Sequence, residues 1–343
     1  MANIEWGKLG FAYMKTNTIV KMYYQNGQWG PVISSADDNI TINSYAASLH
    51  YGVECFEGLK AFRGKNGEIR IFRPDENAKR MQRSAEYLGI AAPSVEQFIE
   101  MVKQVVLENQ EFIPPYGSGA SLYIRPTLIG YGPQLGVKSP DDALFMIMVS
   151  PVGAYAGSIN EPVKTVIARE YDRAAPNGSG SYKVGGNYAM SLKAGKEAAK
   201  EGYKGVLYLD PKEHKYIDEF SSSNFFAIKG NTYVTVDSNT VLPSITNKSL
   251  EQVAKDLGME VERRKVPVEE LAQFDEVGEC GTAVVITPVG IVDDKPTICG
   301  QECKRYTFGD PTKCGEKSLK LYKQILAIQH GEVEDTHNWC IVL

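Results

Sequence analysis

Apolar and polar positions alternate with period two through TIVKMYYQNGQWGPV and break at Asn26-Gly27, a pair suited to a tight turn, so a hairpin is predicted there. The run IRIF, residues 69–72, reads as a strand ending at Arg73 and Pro74. The period then lengthens. A helix from Asp75 puts Ala78, Met81, Ala85 and Leu88 on one face. A second helix opens at Ser94, where Ser94 and Gln97 have capping-box spacing, and turns Val95, Phe98, Ile99, Val102 and Val106 inward. These faces are core. SLYIRPTLI and ALFMIMVSP follow as apolar strands that proline interrupts or ends.

Glycine and proline punctuate PVGAYAGSINEPV, residues 151–163, which reads as a linker. Beyond it come the strand VKTVIARE, a Gly/Ser-rich loop, the strand GVLYLD, the segment YIDEFSSSNFFAI and the strand TYVTV. Helix, strand and helix continue to a terminal helix that ends at Gly331. Strands and helices in both halves predict an α/β protein with mixed sheets. Residues 1–150 would form a smaller N-terminal domain and 164–343 a larger C-terminal one. No internal repeat is evident.

At 343 residues with 43% hydrophobic content, the chain can bury two full cores. A formal charge of -5 and a pI near 5.6, without basic runs interleaved with aromatics, argue against nucleic-acid binding. No stretch reaches membrane-span length, and Met1 to Trp6 lacks the apolar core of a signal peptide, so a cytoplasmic protein is expected. Six cysteines are too few for a disulfide framework. Cys299, Cys303 and Cys314 lack the paired short spacing of a zinc site, so no metal is expected.

Candidate chemistry centres on NGSGSYKVGGNY, residues 177–188. Lys183 stands there among residues of little bulk, where a flat ligand or a second backbone can approach closely. A mobile surface loop is the plain alternative. Tyr182 and Tyr188 bracket the lysine, and a helix is predicted to begin at Asn187 with asparagine as its cap. A partly desolvated lysine attacks aldehydes, which is the chemistry of a pyridoxal-phosphate Schiff base. That chemistry also needs an acid for the pyridine nitrogen and a cradle for the phosphate. Glu219, flanked by Phe220, Phe225 and Phe226, is a candidate for an enclosed carboxylate in need of a partner. Ile245 and Thr246 enter a helix, where free amides attract anions. Gly281, Thr282 and Ala283 offer a small-residue turn, and Arg73 a full positive charge.

Taken together, LHYGVECFEGLKAF (49–62), IRIFRP, LYIRPTLIGYG (122–132), SPVGAYAG, GSYKVGGNY, DEFSSSN, VLPSIT and GTAVVITPVG resemble the branched-chain amino-acid aminotransferases, fold-type IV pyridoxal-phosphate enzymes. The motifs run in the same order over nearly the whole chain. The FEGLKAF and GGNY forms place it with the larger bacterial variants. The resemblance implies a two-domain fold like that of D-amino-acid aminotransferase, with Lys183 bound to pyridoxal 5'-phosphate and Tyr188 bonded to the ring oxygen. Glu219 would hold the pyridine nitrogen, and Arg73, Ser222, Ile245, Thr246 and Thr282 the phosphate.

For substrate it implies Tyr51, Tyr123 and Arg125 along one side, Tyr13 and Phe56 as apolar wall, and Thr282 and Ala283 at the α-carboxylate. Tyr155 would reach the site of a neighbouring subunit, so a homodimer or higher homo-oligomer is expected. Val284 and Thr287 stand where some animal members carry a CxxC, so a thiol switch of that kind is not expected. The reaction implied is exchange of an amino group between leucine, isoleucine or valine and 2-oxoglutarate. A D-amino-acid transaminase or aminodeoxychorismate lyase would share Lys183 and Glu219 but not YIRPTLIG or GTAVVITPVG. A phosphate loop at Gly315-Glu316-Lys317-Ser318 lacks the preceding glycines it would require.

Overall fold

The structure is a computed structural model that describes residues 4–153, 159–295 and 303–343. Two compact units divide the chain. The first holds the described residues of Met1–Tyr155 together with Tyr182–Gly185 and Ala327–Leu343. The second holds those of Ala156–Ser181 and Gly186–Leu326. A contiguous boundary at 151–163 misses both returns of the chain to the first unit, one of which carries Lys183.

In the first unit β1 (Ile19–Gln25) and β2 (Gln28–Trp29) form the expected hairpin. Asn26 and Gly27 both take positive φ, 52° and 80°, as a two-residue turn with right-handed strand twist requires. Then come β3 (Ile33–Ser35), α1 (Ala47–His50), β4 (Glu54–Phe56), β5 (Leu59–Arg63), β6 (Ile69–Phe72), α2 (Pro74–Leu88), α3 (Val95–Glu108), β7 (Ser121–Gly130) and β8 (Ala143–Val152). The Ser94 hydroxyl accepts from the Gln97 amide at 3.1 Å, and the Gln97 side chain accepts from the Ser94 amide at 2.9 Å, which closes the capping box of α3.

Met81 and Ala85 of α2 and Phe98, Met101, Val102, Val105 and Val106 of α3 share one buried core with Val20, Ile71, Leu122, Phe145 and Ile147 of the sheet. Pro126 interrupts β7 without breaking it. It falls opposite the gap between β4, whose pairing ends at Phe56↔Thr127, and β5, which begins at Leu59↔Ile124. Its carbonyl accepts the Glu57 amide at 2.8 Å across that gap.

The second unit contains β9 (Val163–Ile167), α4 (Gly185–Ala189), α5 (Leu192–Lys200), β10 (Gly205–Leu209), β11 (Ile217–Phe220), β12 (Asn224–Lys229), β13 (Thr232–Val236), α6 (Ile245–Asp256), β14 (Glu260–Arg264), β15 (Glu276–Gly281), β16 (Val285–Asp294), β17 (Lys304–Thr307) and most of α7 (Glu316–Gln329). Strands run in the order β11-β10-β9-β16-β15-β12-β13-β14, with β17 on β16. Strand β11 also pairs with β12 through Glu219↔Asn224, so six strands close into a ring at Glu219. The sheet is mixed, with β9 parallel to both β10 and β16 and β13 parallel to β14.

The last strand, β18 (Cys340–Val342), returns to the first unit and pairs antiparallel with β6. The first sheet then reads β18-β6-β5-β7-β8-β1-β2, with β3 on β1 and β4 on β7. Among the described residues, no helix is long and apolar enough to cross a membrane. No group of three or more His, Cys, Asp or Glu among them could hold a metal ion. Cys299 lies outside the described residues.

Candidate active site

The peptide of Lys183 is held from both sides within the first unit. Its amide donates to the Ser84 hydroxyl on α2 at 3.0 Å, and its carbonyl accepts the Phe56 amide at 3.1 Å. Cys55 and Val184 form a β-bridge next to it. The Lys183 Nζ lies 4.8 Å from the Phe56 ring centroid, within cation–π range. A side chain on Gly185 would collide with the Glu54 carboxylate, which explains glycine two residues after the lysine. Burial raises the Glu54 pKa, opposed by a hydrogen bond from the Gly185 backbone and by Arg125. Before the lysine, Tyr182 stacks on Tyr87 with ring centroids 4.0 Å apart, and Arg83 lies over its face at 5.5 Å.

Arg125 stands on β7 two residues from Tyr123, so both side chains share one face of the strand. It donates to the Tyr123 hydroxyl at 3.0 Å, and its guanidinium lies 4.9 Å from the Phe56 ring and 5.1 Å from the Tyr123 ring. Its Nε is buried and has no hydrogen-bond partner among the described residues. Gly58 is required here because a Cβ would occupy the Tyr123 hydroxyl position. The backbone at Gly58 is set by Glu57, which is fully buried and bonded to Arg80 Nε and Nη2, each at 2.7 Å, and to Asn77 at 2.7 Å.

In the second unit Glu219 is buried on β11. One carboxylate oxygen accepts the Leu242 amide at 2.9 Å and lies 2.7 Å from Arg173 Nη2; the other accepts the Asn224 amide group at 2.7 Å. Burial raises its pKa, and the Arg173 charge opposes the rise. The same Nη2 donates to the carbonyl of Gly180 at 2.6 Å and to that of Thr240. Arg173 thus ties the acid to the loop three residues ahead of Lys183. A Cβ on Gly180 would meet the Thr240 carbonyl, so the glycine permits that approach.

Three turns gather near Glu219 in this unit. Ser221–Ser223 join β11 to β12, and an added Gly281 Cβ would lie 3.7 Å from the Ser223 Cβ and 3.9 Å from the Ser222 carbonyl. Asn247 on α6 donates to Asn224 at 3.1 Å, which brings the start of α6 to the same place. Ser244 caps α6 by accepting the Asn247 amide at 3.2 Å, and Ile245 and Thr246 occupy the first helical positions. Thr282 and Ala283 form the turn between β15 and β16, after which Val285 takes a φ of 62°, a strained value for a β-branched residue. Gly281 and Ser222 are therefore neighbours, and Asn247 ties the start of α6 to Asn224, two residues beyond Ser222.

Arg73 ends β6 in the first unit with φ 50° and ψ 46°, a left-handed geometry that costs a non-glycine residue roughly 1–2 kcal/mol. Tyr188 is half-buried on α4. The expected helix at Asn187 begins earlier, at Gly185. The Asn187 side chain does not cap it but closes the loop, donating to the Ser179 carbonyl and accepting from its hydroxyl, both at 2.7 Å.

Tyr51 is exposed and bonded to the Leu135 carbonyl at 2.8 Å. Tyr13 does not line a wall with Phe56 and Tyr123. It is 77% exposed and bonded to Asp38, and Phe11 packs on Tyr123 instead, edge to face at 4.9 Å. Tyr155 lies outside the described residues. Sequence pattern does not mark Arg173, Ser84, Glu57 or Arg80, because the partners of each lie far along the chain.

A family profile described as Amino-transferase class IV matches residues 54–292. A branched-chain-amino-acid aminotransferase of Haemophilus influenzae is 42% identical over 99% of each chain. The chain belongs to the class IV aminotransferases and, within them, to the branched-chain-amino-acid aminotransferases. The Helicobacter pylori relative of that name is also 42% identical, over 99% of this chain and 98% of its own. Among solved structures, the Escherichia coli branched-chain amino acid aminotransferase superposes with a TM-score of 0.78 at 28% identity, covering 95% of this chain and 99% of its own. A T.th. branched-chain amino acid aminotransferase, solved with pyridoxamine 5'-phosphate, gives the same TM-score and identity over 96% and 99%.

Membership in the class IV aminotransferases implies pyridoxal phosphate, and the residues of this aminotransferase fit that group. Lys183 offers a primary amine on a peptide fixed on both sides, Glu219 a buried carboxylate, and Asn247 links the start of α6 to Asn224, beside the small-residue turn of Ser221–Ser223.

Proposed function

We propose that this aminotransferase exchanges the amino group between L-leucine, L-isoleucine or L-valine and 2-oxoglutarate in two half-reactions, with pyridoxal 5'-phosphate as cofactor. The observation that carries this reading is the fixed peptide of Lys183, bonded to Ser84 and Phe56. Bound pyridoxal phosphate supplies an electrophilic carbon for the substrate amine and a ring that takes up electrons from the α-carbon. Lys183 provides the attaching amine and, once displaced, moves the α-proton as general base and acid. Glu219, whose pKa burial raises and Arg173 opposes, would face the ring nitrogen of the bound cofactor. Arg73, Ser222, Thr282 and the amides of Ile245 and Thr246 would hold the phosphate, and Tyr188 would donate to the ring oxygen.

Phe56 and Tyr123 offer apolar faces to a branched side chain, with Phe11 in the place expected for Tyr13. Tyr51 lines the same side, and the Thr282 and Ala283 amides take the α-carboxylate. Arg125, with its unpartnered Nε, meets the second carboxylate of glutamate. Structures of the T.th. enzyme solved with N-(5'-phosphopyridoxyl)-L-glutamate and with 4-methylvaleric acid support a pocket that takes both shapes.

We also propose a homodimer in the cytoplasm. Exposed Tyr45, Leu49, Leu135 and Val137, joined through the Gln134 amide bond to the Tyr45 carbonyl, suit a second copy, and light scattering reads the mass. An Arabidopsis thaliana relative is named chloroplastic.

The test follows the cofactor spectrum of the loaded protein on addition of L-leucine, L-glutamate or D-alanine. Conversion by both L-amino acids and none by D-alanine is expected. Conversion by D-alanine alone would replace this reading with a D-amino-acid transaminase.

A further inference from the structure

Arg73 is held in its left-handed conformation by the C-terminal residues of the chain. Its amide donates to the Trp339 carbonyl at 2.7 Å, and its guanidinium lies over the Trp339 ring, 4.9 Å from the centroid. The ring is itself fixed on two further sides: Phe72 meets it edge to face at 5.8 Å, and His337 stacks on it at 4.6 Å and 23°. The turn before it is pinned by Asp335, whose carbonyl accepts the Asn338 amide at 3.2 Å and whose carboxylate accepts the Cys340 amide at 2.7 Å. Beyond the ring, β18 pairs with β6, Cys340 opposite Phe72. A strained backbone persists only where its surroundings over-determine it, and here the surroundings are residues 335–342. A cation laid on an aromatic face loses rotamer freedom, so its guanidinium is held in one orientation.

We propose that Trp339 is a positioning residue for anion binding: the C-terminal strand and its preceding turn form a clasp that orients Arg73 toward the cofactor phosphate. This rests on the reading of Arg73 as a phosphate ligand. Strand β18 lies at the edge of its sheet, so the clasp is secured on one side only by β6 and depends on Trp339 and Asp335 for the rest. The contribution is specific to the phosphate, because nothing in the clasp addresses the aldehyde or the ring.

The test uses the full-length apoprotein, titrated separately with pyridoxal phosphate and with pyridoxal, which lacks the phosphate. Trp339→Met keeps the bulk and removes the π face. It is expected to weaken pyridoxal phosphate by about fivefold while leaving pyridoxal within about twofold. Trp339→Phe, with a smaller quadrupole, should fall between Trp339→Met and wild type, and it carries the comparison if Trp339→Met does not fold. In an Arg73→Gln background the Trp339 change should add nothing. If Arg73→Gln leaves phosphate affinity unchanged, the reading of Arg73 fails. If Arg73→Gln weakens pyridoxal phosphate but the Trp339 variants do not, or if they weaken both ligands equally, Trp339 only packs the tail and the clasp is overturned.

Discussion

The guanidinium of Arg173 lies 2.7 Å from the carboxylate of Glu219, and both side chains are buried. Burial is the main cause that raises the pKa of Glu219, and Arg173 is the strongest opposing influence. Arg173→Gln leaves the acid without a cation and is expected to destabilise the apoprotein by about 3–5 kcal/mol. A carboxyl whose folded pKa is raised favours the folded chain while protonated and loses that advantage as pH rises through the raised value. The deficit in urea unfolding should therefore be larger at about pH 8 than at about pH 5. A deficit equal at both values contradicts the pairing.

Arg125 has a hydroxyl partner in Tyr123 and a buried Nε without one among the described residues. Arg125→Ala is expected to weaken the glutamate half-reaction by about 1.5–3 kcal/mol, the usual worth of a hydrogen bond to a charged group, and to affect leucine much less. Single-turnover measurements with each substrate decide it. Equal losses would make Arg125 a structural group.

Asp293 on β16 is buried and accepts from Arg305 at 2.7 and 2.9 Å, from Tyr203 at 2.7 Å, and from Lys164 at 3.1 Å. Hydrogen bonding from Arg305, ahead of the other partners, holds its carboxyl well below the usual range. The stability it contributes is present above the unfolded pKa of about 3.9 and is lost as pH falls toward the folded value. Asp293→Asn should cost about 3 kcal/mol at neutral pH, and the gap to wild type should narrow below about pH 4. A gap that stays constant on acidification would rule this out.

Local rules carried much of the fold. The Asn26-Gly27 hairpin and the Ser94 capping box each depend on neighbours in sequence, so residue type alone marks them. What stayed hidden depends on long-range pairing. The return of residues 327–343 to the first unit and the Arg173–Glu219 pair join segments whose union no periodicity records. Tyr13 and Phe11 show the limit at short range, because two aromatics two residues apart do not declare which one packs on Tyr123. Asn187 shows another: an asparagine near a helix start caps or braces, and here Ser179 drew it into bracing the loop.

The central claim is that Lys183 is the residue to which the cofactor attaches. Borohydride reduction of the loaded protein, followed by digestion and mass spectrometry, fixes the cofactor to the lysine that holds it. The phosphopyridoxyl group is expected on Lys183 alone, with Lys183→Ala giving no labelled peptide and losing nearly all turnover. Label on any other lysine, or turnover near wild type in Lys183→Ala, would contradict it.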